Sequence, residues 1–227
     1  PLMLRLTPLF LLLFSFFLTN AQYKDPKGYV ASDKNQEWPA KYDWERNANY
    51  KKYTRQSYYL VMRDSVKIAI DVYIPKVKKG HHGKFPTVLH QWRYWRDFEL
   101  KWPYNWLSKA PNGPLGKFFK TIIKNGYVLV SVDSRGSGAS TGSRAYPWTQ
   151  EERDDMTEII DHIIAQSWSD GKVGVAGVSY SGTTSEFAAI QKHPAVKAVV
   201  NMYSLFDVYP DNAFVGGIHN IGFTEVW

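Results

Sequence analysis

Residues 173–182 read Val173-Gly174-Val175-Ala176-Gly177-Val178-Ser179-Tyr180-Ser181-Gly182. The first six are apolar or small and of strand length, which suits a strand buried on both faces. The strand pattern runs directly into a serine held between glycines, and a helix starts at once. A nucleophilic serine needs this setting. The turn lifts its hydroxyl out of the sheet, small neighbours let the backbone pass close, and the free N–H groups of the helix face the reacting carbonyl. Ser179 is therefore the candidate nucleophile, and the N–H of Tyr180 the candidate donor to a developing oxyanion. The common pattern is G-x-S-x-G. Here the fifth position is Ser181, and the glycine comes one later, at Gly182. Strand-to-helix turns with glycine-flanked serines also occur for purely structural reasons, so this motif alone leaves both readings open.

The surrounding pattern predicts the sheet that would carry such a turn. Residues 58–62 and 66–74 are β-rich and flank Arg63-Asp64-Ser65, a hairpin signal. A charged loop over 76–84 and a short strand over 86–90 follow. Leu115, Phe118, Phe119, Ile122 and Ile123 recur at helical spacing, and Asn125-Gly126 closes that helix. Residues 127–132 read as another buried strand. Met156, Ile159, Ile160, Ile163 and Ile164 form the apolar stripe of a helix over 150–166, with Thr149 and Glu152 as a capping box. Asp170-Gly171 turns the chain into the strand before Ser179; a helix over 183–191 and a strand over 196–202 complete the series. A hairpin followed by alternating strands and helices predicts an α/β fold: a mainly parallel sheet with an antiparallel N-terminal hairpin and helices on both faces.

Composition narrows the function. The 227 residues are 44% hydrophobic and 16% aromatic, enough for a sizeable core. The net charge of +7 is spread among acids, with no basic face carrying interleaved reading groups, so nucleic acid is not an expected partner. The absence of cysteine excludes disulfides, cysteine nucleophiles and cysteine metal sites. His81-His82 in the charged loop reads as solvated rather than metal-binding. Gly136-Ser137-Gly138 has the wrong spacing for a dinucleotide fingerprint, and a loop with Pro147 follows it instead of a helix. No metal or organic cofactor is expected. Residues 1–21 have signal-peptide grammar: Arg5, an apolar run over 8–18, then Thr19-Asn20-Ala21. The run is short for a membrane span, although an uncleaved signal anchor remains the alternative. The expected location is secreted or periplasmic, without a stable membrane anchor. Residues 22–56, broken by Pro26, Gly28 and Pro39, read as an N-terminal extension.

Three further stretches extend the pattern around Ser179. Gln166-Ser167-Trp168-Ser169-Asp170-Gly171-Lys172-Val173-Gly174 fits Q-x-W-x-D-G-x-V-G. Asp133-Ser134-Arg135-Gly136-Ser137-Gly138-Ala139-Ser140-Thr141-Gly142 fits D-x-R-G-x-G-x-S-x-G. Met62-Arg63-Asp64-Ser65-Val66 fits M-R-D-G-V with Ser65 at the glycine. With Gly177 to Gly182 fitting G-x-S-Y-x-G, this set resembles the X-Pro dipeptidyl-peptidase and cocaine-esterase superfamily, the CocE/NonD serine hydrolases. The resemblance runs from about residue 57 to the end. It implies an α/β-hydrolase fold, with residues 57–210 as the N-terminal part of the catalytic domain and 211–227 as the start of a helical cap, where the chain is truncated. It also implies that Tyr94, counted from Pro86, completes the oxyanion hole with its hydroxyl. A phenol O–H is a neutral donor suited to that task.

A serine nucleophile needs a base and an acid that orients it, in the chain order Ser, Asp or Glu, His. After Ser179 the histidines are His193 and His219. His193 precedes Pro194 at a helix end and reads as a C-terminal helix residue; His219 lies in the glycine-rich lead-in to the cap. Asp207 and Asp211 come too early for the acid. The resemblance places acid and base beyond residue 227, so the fragment itself is expected to be inactive. The substrates it implies are small esters or amides or short peptides: X-Pro peptides, α-amino acid esters, β-lactam-type amides or plain acyl esters. Oligomeric state is not legible. The competing expectation is a non-catalytic binding or scaffold protein that keeps the hydrolase core.

Overall fold

Tyr53 to Val61 and Lys67 to Pro75 pair along their full length, from Tyr53 opposite Pro75 to Val61 opposite Lys67, as antiparallel strands β1 (Tyr53–Val61) and β2 (Lys67–Pro75). The structure, a computed structural model, describes residues 50–77, 83–96, 102–103 and 116–225. Four more strands follow: β3 (Phe85–Trp92), β4 (Val128–Asp133), β5 (Ser169–Val178) and β6 (Val196–Met202). The sheet order is β1-β2-β4-β3-β5-β6. β2 meets β4 antiparallel, while β4, β3, β5 and β6 run parallel to one another. The expectation of a mainly parallel sheet with an antiparallel start is met.

The two faces of the sheet are covered by different helices. All six residues of β4 are buried, and they alternate sides because strand side chains have a period of two. Leu129 joins Tyr73 and Ile123, with Val88 and Phe119 against them, so α1 (Lys117–Lys124) covers one face. Val128, Val130 and Val132 join Ile68, Ile70, Val72 and Leu89 under Met156, Ile159, Ile160 and Ile163 of α2 (Gln150–Ile164). Ala188 of α3 (Tyr180–Ile190) belongs to this second cluster. Short helical turns at Tyr209–Ala213 and Val215–Gly217 and a last turn α4 (Ile221–Thr224) end the described chain. Among the described residues no helix is long and apolar enough to cross a membrane. The residue calls for a signal peptide and for His81-His82 fall outside the described residues.

Two boundaries differ from the sequence reading. β1 begins at Tyr53, inside the stretch read as an extension. Its residues Tyr53 to Ser57 are all exposed, so no apolar alternation marks them, and backbone pairing to β2 makes the strand. Arg55 adds a 2.8 Å ion pair to the buried Asp71. Helix α3 begins at Tyr180 rather than near residue 183, because Ser181 and Gly182, poor helix formers, sit in its buried first turn.

The loop after β4 is held by Arg135, whose side chain is buried. It grips Asp155 of α2 in two bonds, Nε to Oδ2 at 2.8 Å and Nη2 to Oδ1 at 2.6 Å, and also donates to Asp64 of the β1–β2 turn. The hydrogen bonds it donates to Asp155 hold the guanidinium more firmly protonated than usual. Arg135 thus joins hairpin, loop and helix rather than reaching the Ser179 turn. Asp155→Ala removes the buried partner of a buried cation and leaves it only the exposed Asp64. In the full-length protein it should lower unfolding stability by about 3–5 kcal/mol by urea denaturation; a loss under about 1 kcal/mol would show that the pair does not hold these elements together.

Candidate active site

β3, β5 and β6 are parallel, so they end on one edge of the sheet, at Trp92, Val178 and Met202. Open α/β sheets bind ligands at such carboxyl ends. Ser179 follows β5 directly and is exposed there, with φ 58° and ψ −120° as the N-cap of α3. That backbone conformation is strained for any residue with a Cβ. Two bonds hold it: Ser179 N–H donates to Met202 O of β6 at 2.9 Å, and Thr183 N–H donates to Ser179 O at 3.0 Å. The glycines are required by close approach. A Cβ on Gly177 would collide with the backbone of Ser181, and one on Gly182 with Met202 O. The glycine needed beneath β6 is thus Gly182, one place later than in G-x-S-x-G. Ser181 closes the turn itself: its Oγ donates to Val178 O and accepts from Val178 N–H, both at 2.9 Å.

The side chain of Tyr180 is buried and anchored below the turn. Its hydroxyl donates to the buried Glu152, 2.7 and 2.8 Å from the two carboxylate oxygens, and accepts from Arg144 Nη1 at 3.1 Å. Burial first, and Glu152 second, push the phenol well above its usual range. The ring stacks on Trp148 at 4.7 Å. Glu152 also accepts from Trp148 N–H at 3.0 Å, while its own N–H reaches Thr149 Oγ1 at 3.4 Å. The predicted capping box is therefore shifted: the carboxylate serves the residue before the cap and the tyrosine. The ring of Tyr180 is anchored, and its amide sits at the free N-terminus of α3.

Tyr94 lies in the loop after β3 on the same edge, 42% exposed. Its ring meets the Tyr180 ring edge-on at 6.2 Å and the Trp92 ring at 5.7 Å. Arg93 places its guanidinium 5.6 Å from the Tyr94 ring centre and 5.9 Å from that of Tyr180. This loop is pinned by Arg96. Asp133, at the end of β4, accepts from Arg96 N–H at 2.5 Å and from Arg96 Nη1 at 2.6 Å, and Arg96 Nε lies 3.1 Å from Asp71 Oδ1. Asp133 thus holds the Tyr94 loop through Arg96, a residue the sequence reading did not single out. A basic residue eleven places after a buried strand's start carries no distinctive signal.

Among the described residues no histidine is bonded to Ser179 Oγ. His193 accepts from Ala195 N–H at Nδ1, 3.1 Å, and Nε2 lies 3.0 Å from Asp161. It precedes the start of β6, and Ser179 sits at the other end, about 20 Å away at ~3.3 Å per residue. It lies past the end of α3, in the connecting loop rather than in the helix. His219 stacks on Phe214 at 4.8 Å and contacts Thr224 Oγ1 at 2.8 Å. Asp211 accepts from the N–H groups of Phe206 and Asp207, and Asp207 from that of Tyr209, so both shape backbone turns. Among the described residues no cluster of three or more His, Asp or Glu is placed to hold a metal.

Residues 64–227 match the family described as X-Pro dipeptidyl-peptidase (S15 family). The chain belongs to the X-Pro dipeptidyl-peptidase (S15) family. A Mycobacterium bovis protein provisionally named a serine esterase is 38% identical over 216 residues, 92% of this chain and 32% of that protein. Cocaine esterase of a Rhodococcus species is 31% identical over 148 residues, 65% of this chain and 23% of its own length. The crystal structure of a CocE/NonD family hydrolase from Staphylococcus aureus superposes with a TM-score of 0.58 at 29% identity, over 71% of this chain and 29% of that one. The sheet and helices of this S15 chain are accordingly those of the α/β-hydrolase fold. The chain spans about a third or less of the length of the curated relatives it matches.

The Tyr180 anchor can be tested on this S15 chain's full-length protein. Tyr180→Phe keeps the backbone N–H but withdraws the phenol from a buried carboxylate. Stability should fall by about 1–3 kcal/mol in urea titration, and an unchanged midpoint would refute the anchor.

Proposed function

We propose that this protein is a serine hydrolase that cleaves an ester or amide bond through an acyl-enzyme on Ser179. The observation that carries this reading is the backbone of Ser179: strained, exposed and at a helix N-terminus on the carboxyl edge of a parallel sheet. The names of the relatives, esterases and hydrolases, support it.

In the proposed reaction a base takes the Ser179 proton as Oγ attacks the substrate carbonyl. The oxyanion is stabilised by the Tyr180 N–H and the Tyr94 hydroxyl. The base returns the proton to the leaving alcohol or amine, and water, deprotonated in turn, releases the acid and regenerates Ser179. The base and its orienting acid are proposed to lie beyond residue 227, as the family resemblance implies; His193 and His219 are bonded to Asp161 and Thr224 instead. The reading therefore assigns little activity to the fragment alone. The proposed substrate is a small ester or amide or a short peptide, taken at the sheet edge beside the rings of Trp92, Tyr94 and Tyr180. The signal-like residues 1–21 support export to the periplasm or medium. No cofactor enters the reading.

The full-length protein should react with a fluorophosphonate probe at Ser179, read by mass spectrometry, and Ser179→Ala should abolish the adduct. Tyr94→Phe should lower kcat on an activated ester by about 10²–10³-fold with little change in KM, as loss of one oxyanion donor does. A folded full-length protein that forms no adduct at Ser179 would overturn the reading in favour of a binding or scaffold protein.

A further inference from the structure

The turn at Ser179 contains one group that the proposed chemistry does not use. His90, near the end of β3, is fully buried, and its Nε2 lies 3.2 Å from Ser181 Oγ. We propose that His90 is a positioning residue, which fixes the nucleophile turn against β3 by donating to Ser181; this rests on the reading of Ser179 as nucleophile.

The hydrogen bonds determine the direction of donation. Ser181 Oγ spends its proton on Val178 O and one lone pair on Val178 N–H. What remains is a lone pair, so the ring must donate, and the proton sits on Nε2. The other ring nitrogen, Nδ1, is buried with no hydrogen-bond partner among the described residues. The ring is packed instead between Trp92 at 5.0 Å and Phe119 at 4.9 Å. Burial holds it at about 4, below the usual histidine value, so it is uncharged at neutral pH. A neutral imidazole with one nitrogen bare and the other aimed at a single hydroxyl acts here as an oriented donor.

The target of that donor matters. Val178 and Ser181 bracket Ser179 and Tyr180, and the Ser181 hydroxyl clasps the turn from inside. His90 links this clasp to β3, whose continuation carries Trp92 and Tyr94. One ring therefore sets the spacing between the strand that leads to the candidate hydroxyl donor and the turn that bears the candidate amide donor. It also accounts for a serine where G-x-S-x-G has glycine: the hydroxyl has a partner across the strands. Misplacing such donors slows reaction more than it weakens binding.

The test measures the rate constant of fluorophosphonate labelling at Ser179 in the full-length protein, alongside kcat and KM for an activated ester and the urea midpoint. His90→Leu keeps the apolar packing and removes the donor. It should slow labelling and lower kcat by about 5- to 10-fold with KM little changed. Ser181→Ala, which also removes the clasp on Val178, should slow both by at least as much, and the double variant should be no slower than Ser181→Ala, since the His90 bond is already lost there. His90→Gln, which retains an N–H donor, should recover most of the rate. Labelling of folded His90→Leu at the wild-type rate would overturn the proposal, as would multiplicative losses in the double variant or a fall in urea midpoint without a fall in rate. If His90→Leu does not fold, Ser181→Ala and His90→Gln decide. If the unaltered protein is not labelled at Ser179, the nucleophile reading fails first, and that outcome is distinct.

Discussion

The backbone of Ser179 turns through φ 58° and ψ −120° between a buried strand and a buried helix turn. An L-residue in such a region costs about 1–3 kcal/mol and persists only where its surroundings over-determine it. Here they do so from three directions. The Met202 carbonyl holds the Ser179 amide, Gly177 admits the Ser181 backbone, and Gly182 lets α3 pass beneath the end of β6. A methyl group at either glycine would force strand and helix apart. Because they cannot separate, residues 180–185 are buried and the free end of the helix opens onto the sheet edge. Everything proposed for the site depends on that crossing.

The loops around the crossing are held by buried charges as well as by ring contacts. Arg96 joins Asp133 and Asp71 beneath the Tyr94 loop. Arg135 joins Asp155 and Asp64 between the hairpin and α2, and Glu152 joins Tyr180 near Arg144. A buried charge pays a large desolvation cost unless its partner is fixed, so each pair tolerates few geometries. Gly138 shows how tight this is: a Cβ there would collide with the Asp133 carboxylate, and its φ of 56° suits glycine. The result is a set of described loops pinned by buried ion pairs near the edge where the parallel strands end.

Much of this was legible from residue patterns. The apolar stripe of α2, the largely apolar β4 and the Ser179 turn all carry local signals, because each is written in contiguous residues as a period of 3.6, an apolar run or a glycine pair. The start of β1 was not legible, since its exposed residues are strand only through pairing with β2. The helical position of His193 was misplaced by three residues, because Pro194 marks a boundary without saying on which side the helix ends. The capping box was half legible: Thr149 caps as its residue type suggests, but the Glu152 carboxylate is drawn to Trp148 and Tyr180, which sequence spacing does not place beside it.

The sequence by itself determined the class of the fold, the identity of the turn residue and the family, because local periodicity and short ordered motifs are properties of neighbouring residues. The tertiary structure alone decided that β4 lies between β2 and β3. It also decided that Arg96 supports the Tyr94 loop and that His90, 91 positions before Ser181, donates to it. Those contacts join residues far apart in the chain, and their energy depends on burial and on angles that exist only once the sheet has formed.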